Sequence, residues 1–334
     1  DIFVNSFING TNWKDEVTAI DRMAKLTKED IVAFADKYLK EDNYAVVYKK
    51  QGKDPNEKKM TKPEITPIVS NRDVASPFLT SIQENAVRPI EPVFLDFKKD
   101  MSQLTAKSDI PVLYKQNTTN DLFQLIYVFD MGNNNDKALG TAFDYLEYLG
   151  TSDMTPEELK SEFYRLACTF YVSPGNERTY VVLSGLNENM PAAMQLFEKL
   201  LADAQVNKEA YNNLVGDILK ARADAKLNQG QNFSRLMNYA MYGPKSPATN
   251  LLTEAELASM NPQKLVDRIH NQNNYKHRIL YYGPSSSKDL LATIDQYHQV
   301  PATLKDIPAG NEFSYLETPA TKVLVAPYEA KQIY

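Results

Sequence analysis

Residues 140–151 constrain the fold of this chain more than any other stretch, because two patterns fall on one predicted helix. The apolar residues recur at helical spacing, so one helix face has to lie against a core; they are Leu139, Ala142, Leu146 and Leu149. Asp144, Glu147 and Tyr148 stand at positions i, i+3 and i+4 and share another part of the helix surface. The sequence therefore predicts a helix anchored on one side that presents a polar triplet on the other.

The composition is that of an ordinary soluble protein. The chain has 334 residues, of which 43% are hydrophobic and 24% charged, enough for about two domains. A net charge of −6 argues against a nucleic-acid-binding surface, and no apolar run is long enough for a membrane span. The single cysteine, Cys168, is expected to be a buried thiol and excludes internal disulfides and a cysteine-rich zinc site.

Four regions follow from changes in pattern along the chain. Residues 1–50 are predicted to form helices and a strand at 43–50, and residues 51–91 are a linker rich in proline and lysine. Residues 92–300 are predicted to form a complete domain. Residues 301–334 are predicted to be a second linker with the first strand of a following domain. The chain begins at Asp1 without a signal-peptide pattern and ends on an apolar, strand-like run. We therefore expect a piece of a longer polypeptide.

One internal echo supports that expectation. Residues 26–34 followed by the aromatic stretch 43–48 resemble residues 260–269 followed by 275–282, and both read as a short helix, a helix and a strand. The parallel predicts that residues 1–50 are the tail of a preceding domain, of the same kind as 92–300. The alternative is a chance similarity of two amphipathic helix–strand units.

The domain at 92–300 is predicted to be α+β, with an antiparallel sheet flanked by helices. Strands are expected at 110–115, at 122–131, where the side chains look buried on both faces, in a hairpin at 169–172 and 178–185, and at 276–282. Helices are expected at 156 onward, 187–203, 207–226, 233–242, twice within 253–274, and at 287–299.

In this order the elements resemble the pitrilysin/insulinase family of inverted-motif zinc peptidases, which includes the mitochondrial processing peptidases. The family's active domain carries His-x-x-Glu-His in the helix where this chain has Asp-x-x-Glu-Tyr, followed by Gly-Thr as at Gly150. A Pro-Glu-Glu helix start at Pro156 and a Tyr-Val-Val-Leu strand from Tyr180 follow in both. The resemblance implies domains in tandem, the later ones often degenerate and closing a substrate chamber.

The resemblance places degenerate residues at the motif positions. Asp144 and Tyr148 stand where the two histidines would be, Glu147 where the catalytic glutamate would be, and Asp217 near the last glutamate ligand. A phenol is a poor zinc ligand at neutral pH, aspartate is shorter than histidine, and a glutamate without a metal-bound water has no proton to abstract. The resemblance thus implies no catalytic residue, metal or cofactor in this chain, and zinc in the catalytic half of its parent.

Other interpretations of these residues stay open. Asp144, Glu147 and Asp217 could hold a hard cation, although a solvated helix face is commoner. Tyr145 and Tyr148 could line a peptide cavity or lie half-buried at a domain contact. The three histidines of the chain read as surface or capping residues, since none lies at metal-ligand spacing from another; they are His270, His277 and His298.

The expected function is that of an inactive half, which packs against the catalytic half of the same polypeptide or a paired subunit and forms a peptide-binding chamber. A non-proteolytic scaffold of the same fold, and a metallopeptidase with an unorthodox Asp/Glu site, are the alternatives. Bacterial members of the resembled family are often envelope proteins, which favours the periplasm or cell envelope over the cytoplasm.

Overall fold

The computed structural model describes residues 1–48, 52, 61–67 and 74–326. The chain divides into two compact units, Asp1–Pro89 and Ile90–Tyr334. The predicted region boundaries after residues 50, 91 and 300 stay predictions.

The first unit is helical. Its helices are α1 (Ile2–Asn9), α2 (Trp13–Val17), α3 (Ala19–Met23), α4 (Lys28–Tyr38) and α5 (Pro77–Gln83). A capping box starts α4: the Thr27 side chain accepts a hydrogen bond from the backbone of Asp30 (3.2 Å), whose carboxylate accepts one from the Thr27 backbone (2.9 Å). Among the described residues of this unit only Ser6 is buried, so its helices leave their apolar sides exposed.

Two predictions for the first unit are wrong. Residues 43–48 form no strand, because a strand needs a partner for its backbone hydrogen bonds and the described part of the chain supplies none; residues 49 and 50 lie outside the described residues. The proline content of the linker 51–91 predicts that it lacks regular elements, yet α5 forms there, with the Ser76 side chain accepting from the Leu79 backbone and proline in the first turn. Residues 51, 53–60 and 68–73 of that linker also lie outside the described residues.

The second unit has a six-stranded sheet in the order β1-β2-β6-β3-β5-β4. The strands are β1 (Ser102–Ala106), β2 (Ile110–Gln116), β3 (Leu122–Phe129), β4 (Cys168–Pro174), β5 (Thr179–Leu186) and β6 (Arg278–Gly283). Neighbours run antiparallel, except that β2 and β6 are parallel. The predicted fold class, α+β with helices flanking the sheet, is confirmed.

Helices pack against this sheet around one core. They are α6 (Leu139–Leu146), α7 (Pro156–Arg165), α8 (Met190–Asp203), α9 (Lys208–Ala225), α10 (Gln229–Tyr242), α11 (Glu254–Ser259), α12 (Gln263–Asn271) and α13 (Ser287–Tyr297). α12 contacts both α6 and α8, while α8 also packs on β5 and α13. The prediction that β3 is buried on both faces holds only for its second half, since Leu122 and Gln124 are exposed.

Residues 300–316 of the second unit follow α13 as an extended segment. Val300, Leu304 and Ile307 pack against the core, and the Lys305 backbone exchanges hydrogen bonds with Asn274 (2.7 Å) and Lys276 (2.9 Å). The predicted final strand is not formed at 322–326, where no partner strand lies beside it in the described chain, and residues 327–334 lie outside the description. Among the described residues, no helix combines the length and apolar character that crossing a bilayer requires.

Candidate functional site

The predicted motif helix exists, but it is shorter than expected. α6 buries Leu139, Ala142 and Leu146, as the apolar stripe predicts. It ends at Leu146, and the Tyr148 backbone then donates to Tyr145 (3.0 Å), a tighter turn than that of an α-helix. Glu147 and Tyr148 therefore lie beyond the helix end, and the three motif positions are not presented on one regular helix.

The two acidic residues of the motif lie at the surface and repel each other. Desolvation by neighbouring atoms raises the pKa of Asp144, and the charge of Glu147 raises it further. Tyr148 is 45% exposed. Asp217 is exposed on α9 and shares no hydrogen bond or ion pair with these residues in the described chain. Among the described residues, no group of three or more histidine, cysteine, aspartate or glutamate side chains is placed to hold a metal ion.

Tyr145 is a structural residue, which corrects its interpretation as a cavity-lining or half-buried side chain. It is fully buried, and its hydroxyl donates to the backbone carbonyl of Asn207 (2.6 Å) while accepting from the Asn207 N–H (2.9 Å). Its ring meets that of Tyr211 edge to face at 5.8 Å. The motif helix thus fixes the start of α9, which begins with Asn207 as its N-cap.

An apolar groove lies beside the end of α6. It has a volume of about 670 Å³ and is bounded by α7 and by β4, the strand at one end of the sheet order. Leu146, Leu159 and Phe163 line its floor, and Glu147 contributes to its wall. Cys168 also faces the groove while only 2% exposed, which confirms the predicted buried thiol, and burial raises the pKa of that thiol. The groove offers an apolar surface next to a strand edge.

A buried polar cluster, which sequence reasoning missed, lies under α8 and α13. Glu198 is 1% exposed and His298 is 0% exposed. His298 Nδ1 lies 2.6 Å from Glu198 Oε1, and His298 Nε2 lies 2.8 Å from His277 Nε2. The prediction of surface or capping histidines is wrong for His277, which is buried, whereas His298 is the C-cap residue of α13 with its ring buried between Glu198 and His277. His270 is half-buried, with Nε2 3.1 Å from the Ala204 carbonyl.

Glu198 is surrounded by hydrogen-bond donors. The Tyr127 hydroxyl donates to Oε1 (3.1 Å), while the Asn273 amide (2.9 Å) and the Gln299 backbone N–H (3.0 Å) donate to Oε2. Burial, and then Glu198, raise the pKa of Tyr127 well above its ordinary value, so that hydroxyl keeps its proton. His298 completes this set of polar partners around the Glu198 side chain.

The hydrogen bonds assign the protons of the two histidines. His277 Nδ1 faces the Tyr275 carbonyl at 2.7 Å and must donate to it. Desolvation and then His298 lower the pKa of His277 to about 4, so at neutral pH its Nε2 is an acceptor. His298 Nε2 therefore donates to His277 Nε2, while His298 Nδ1 lies 2.6 Å from Glu198 Oε1.

This cluster has a structural role, and one sequence feature could have revealed it. It ties α8, the end of α13 and the residues before β6 to each other. Glu198 lies four residues after Met194 and three before Leu201, in the middle of the apolar stripe of α8. A carboxylate at a core-facing position requires a buried donor set.

Comparison by sequence gives no relative: no protein-family model matches the chain, and no curated protein matches it. Solved structures do match its fold. The periplasmic protease PqqL from Escherichia coli superposes with a TM-score of 0.57 at 15% identity, over 89% of this chain and 31% of that one. The peptidase M16 inactive domain from Pseudomonas fluorescens matches with a TM-score of 0.52 at 17% identity, over 66% of this chain and 54% of that one.

A third structure, the ferredoxin protease FusC in complex with Arabidopsis ferredoxin, has a TM-score of 0.56 at 10% identity, over 94% of this chain and 37% of that one. The chain thus spans between about a third and about half of these relatives. The resemblance drawn from the sequence is confirmed at the level of the fold, which is that of M16 peptidase domains.

Proposed function

We propose that this chain is the non-catalytic half of a zinc metallopeptidase, which packs against a catalytic half and completes a peptide-binding chamber. The observation that carries the proposal is the state of the motif segment. α6 keeps its place and its apolar stripe, while Asp144 and Tyr148 occupy the histidine positions of the resembled family. The likeness to a solved M16 inactive domain supports the same conclusion at the level of the fold.

The chemistry of the motif residues supports a structural task. Glu147 lies outside α6, on the wall of an apolar groove, and its nearest charged neighbour of the motif is another carboxylate, Asp144. Neither residue is placed to activate a water without a metal. Zinc, the attacking water and its base would belong to the catalytic half, which is the same polypeptide or a paired subunit.

The first unit supplies a surface for that partner. Phe7, Ile31 and Phe34 are among its many exposed apolar side chains, and a soluble chain rarely leaves such a surface without a partner. In the internal echo Ile31 corresponds to Leu265 of α12, which is fully buried against α6 and α8. We infer that α4 packs on the matching helices of a domain with the same fold.

The test uses the polypeptide region that carries an intact His-x-x-Glu-His, taken from the same gene or a neighbouring one. The full chain is mixed with it, and sedimentation velocity measures association while a quenched peptide measures hydrolysis. Ile31→Asp is expected to weaken association at least about tenfold, because a carboxylate would be buried without a partner. Ala33→Asp is the matched control, since the equivalent position in α12 already holds the exposed Asp267.

Two results would contradict the proposal. Absence of any complex with the motif-bearing region would favour the non-proteolytic scaffold. Stoichiometric zinc in the chain alone, lost in Asp144→Ala or Glu147→Ala, would favour the unorthodox metallopeptidase.

We also propose the periplasm or cell envelope as the site of action. The likeness in fold to PqqL, a periplasmic protease, supports this location. Cell fractionation followed by immunodetection of the chain tests it, and recovery in the cytoplasmic fraction would refute it.

A further inference from the structure

Gln272 is a buried carboxamide without a hydrogen-bond partner. It follows α12 in a short 3-10 turn (Gln272–Asn274) and is 1% exposed. Within the described part of the chain, neither its Nε2 nor its Oε1 has a partner. Because an unpaired buried amide costs folding free energy, such a group calls for a partner from outside the chain.

The side chain lines a cavity that is rich in unused donors. The cavity has a volume of about 350 Å³, at the small end of the range for ligand sites. Arg268 lies in it and pairs with Asp136 at 2.7 Å. Lys264 and Lys305 also line it, and neither ammonium group forms an ion pair with a described residue. The carboxylate of Asp267 lines it too, so three basic and two acidic side chains leave an excess of one positive charge.

The chemistry of the cavity matches one kind of ligand. A carboxamide presents a donor and an acceptor side by side, so it pairs with a group that offers an acceptor next to a donor. The last residue of a peptide does so, with its carboxylate and its own amide N–H. The ligand carboxylate would accept hydrogen bonds from Gln272 Nε2 and from the two lysines. The amide N–H of the ligand would donate to Gln272 Oε1, and Met131 and Leu139 would contact its apolar side chain.

The geometry points to this cavity as a binding site for the free C-terminal residue of a peptide, with preference for an apolar side chain. The inference deepens the proposed function and rests on it for its biological role, since peptide cleavage creates new C-termini. Binding itself is a property of the second unit alone. Failure of the ligand titration would therefore not contradict the association with a catalytic half. Failure of that association would likewise not contradict the binding of the ligand.

The test is a ligand-observed NMR titration of the full chain with N-acetyl-L-leucine, which carries the amide N–H, the carboxylate and an apolar side chain. Saturable binding in the low millimolar range or tighter is expected. N-acetyl-L-leucinamide, which lacks the carboxylate, should bind at least about tenfold more weakly. Gln272→Met should also weaken binding about tenfold, whereas Gln263→Met, the same change on the exposed side of α12, should not.

A second variant guards against misfolding as an explanation. Lys264→Gln together with Lys305→Gln changes only exposed side chains and should weaken binding of the acid, but not of the amide. The inference is overturned if the acid shows no saturable binding, if the acid and the amide bind equally, or if Gln272→Met binds like the wild type.

Discussion

The buried pair of His277 and His298 predicts that the folding stability of the second unit falls steeply in acid. The pKa of His277 is lowered from 6.5 to about 4, first by desolvation and then by the charge of His298. The unfolded chain therefore takes up a proton near pH 6.5 and the folded chain only near pH 4. The contribution of His277 to the free energy of unfolding is therefore complete above pH 6.5. It is lost progressively as the pH falls to about 4, and the loss amounts to about 3 kcal/mol.

The perturbation is His277→Gln. Glutamine keeps an acceptor for the His298 N–H but has no proton to gain, so the loss assigned to His277 should disappear. His270→Gln is the matched control, because it removes a half-buried histidine outside the cluster and leaves the His277 contribution in place.

Cys168 reports the unfolding of this unit directly. It is the only cysteine of the chain and is buried on β4, whereas the single tryptophan, Trp13, lies in the first unit. Urea unfolding is followed by the reaction of Cys168 with dithiodipyridine, which modifies thiols in acid. Free energies of unfolding are measured from pH 7 downward past the lowered pKa of His277, about 4.

The expected result is a difference in how steeply the free energy of unfolding falls as the pH is lowered. Between pH 6.5 and about 4, the wild type and His270→Gln should lose about 3 kcal/mol more than His277→Gln does. A His277→Gln variant that is less stable at neutral pH still tests the idea, because only the pH dependence is compared. Equal slopes for the wild type and His277→Gln would refute the assignment of a neutral, buried His277.

Three further predictions concern single side chains. Gln272→Met should raise the free energy of unfolding by about 1–3 kcal/mol, because it removes a buried amide without partners, and urea unfolding without peptide measures this. Tyr145→Phe should lower it by about 1–2 kcal/mol, since both hydrogen bonds to the Asn207 backbone are lost, and hydrogen exchange should show early opening of the first turn of α9. Asp144→Asn should raise the thermal midpoint at neutral pH and lose this advantage in acid, because desolvation and Glu147 raise the pKa of that carboxyl; a midpoint that is unchanged at both pH values would contradict it.

Local sequence patterns predicted most of the second unit. The Pro-Glu-Glu start at Pro156 predicts α7, and the structure begins that helix there with a capping box, in which the Glu158 carboxylate accepts from the Thr155 backbone at 2.8 Å. The hairpin of β4 and β5 was also predictable, because its two strands and their turn are close together in the sequence. In contrast, β1 has no alternating pattern to predict it, and it forms because it pairs with β2.

The buried polar cluster was harder to predict, because its contacts join distant parts of the chain. Glu198 and His298 are separated by 100 residues, and nothing close to either identifies its partner. The motif triplet was placed correctly on the helix up to Asp144. The end of α6 at Leu146 depends on the turn that follows and on tertiary packing, which periodicity does not report.

The position of β6 decides how the sheet can be assembled during synthesis. β6 is the last of the described strands in the sequence, yet it lies between β2 and β3. Until residue 283 has emerged from the ribosome, the β1–β2 pair and the β3–β5–β4 group have no strand to join them, and each presents an open edge. Closure then brings together residues far apart in the sequence, which is slow. From the completion of β3 until β6 is made, a nascent chain of this protein therefore carries two competing strand edges, and β6 determines whether one sheet or two incomplete ones results.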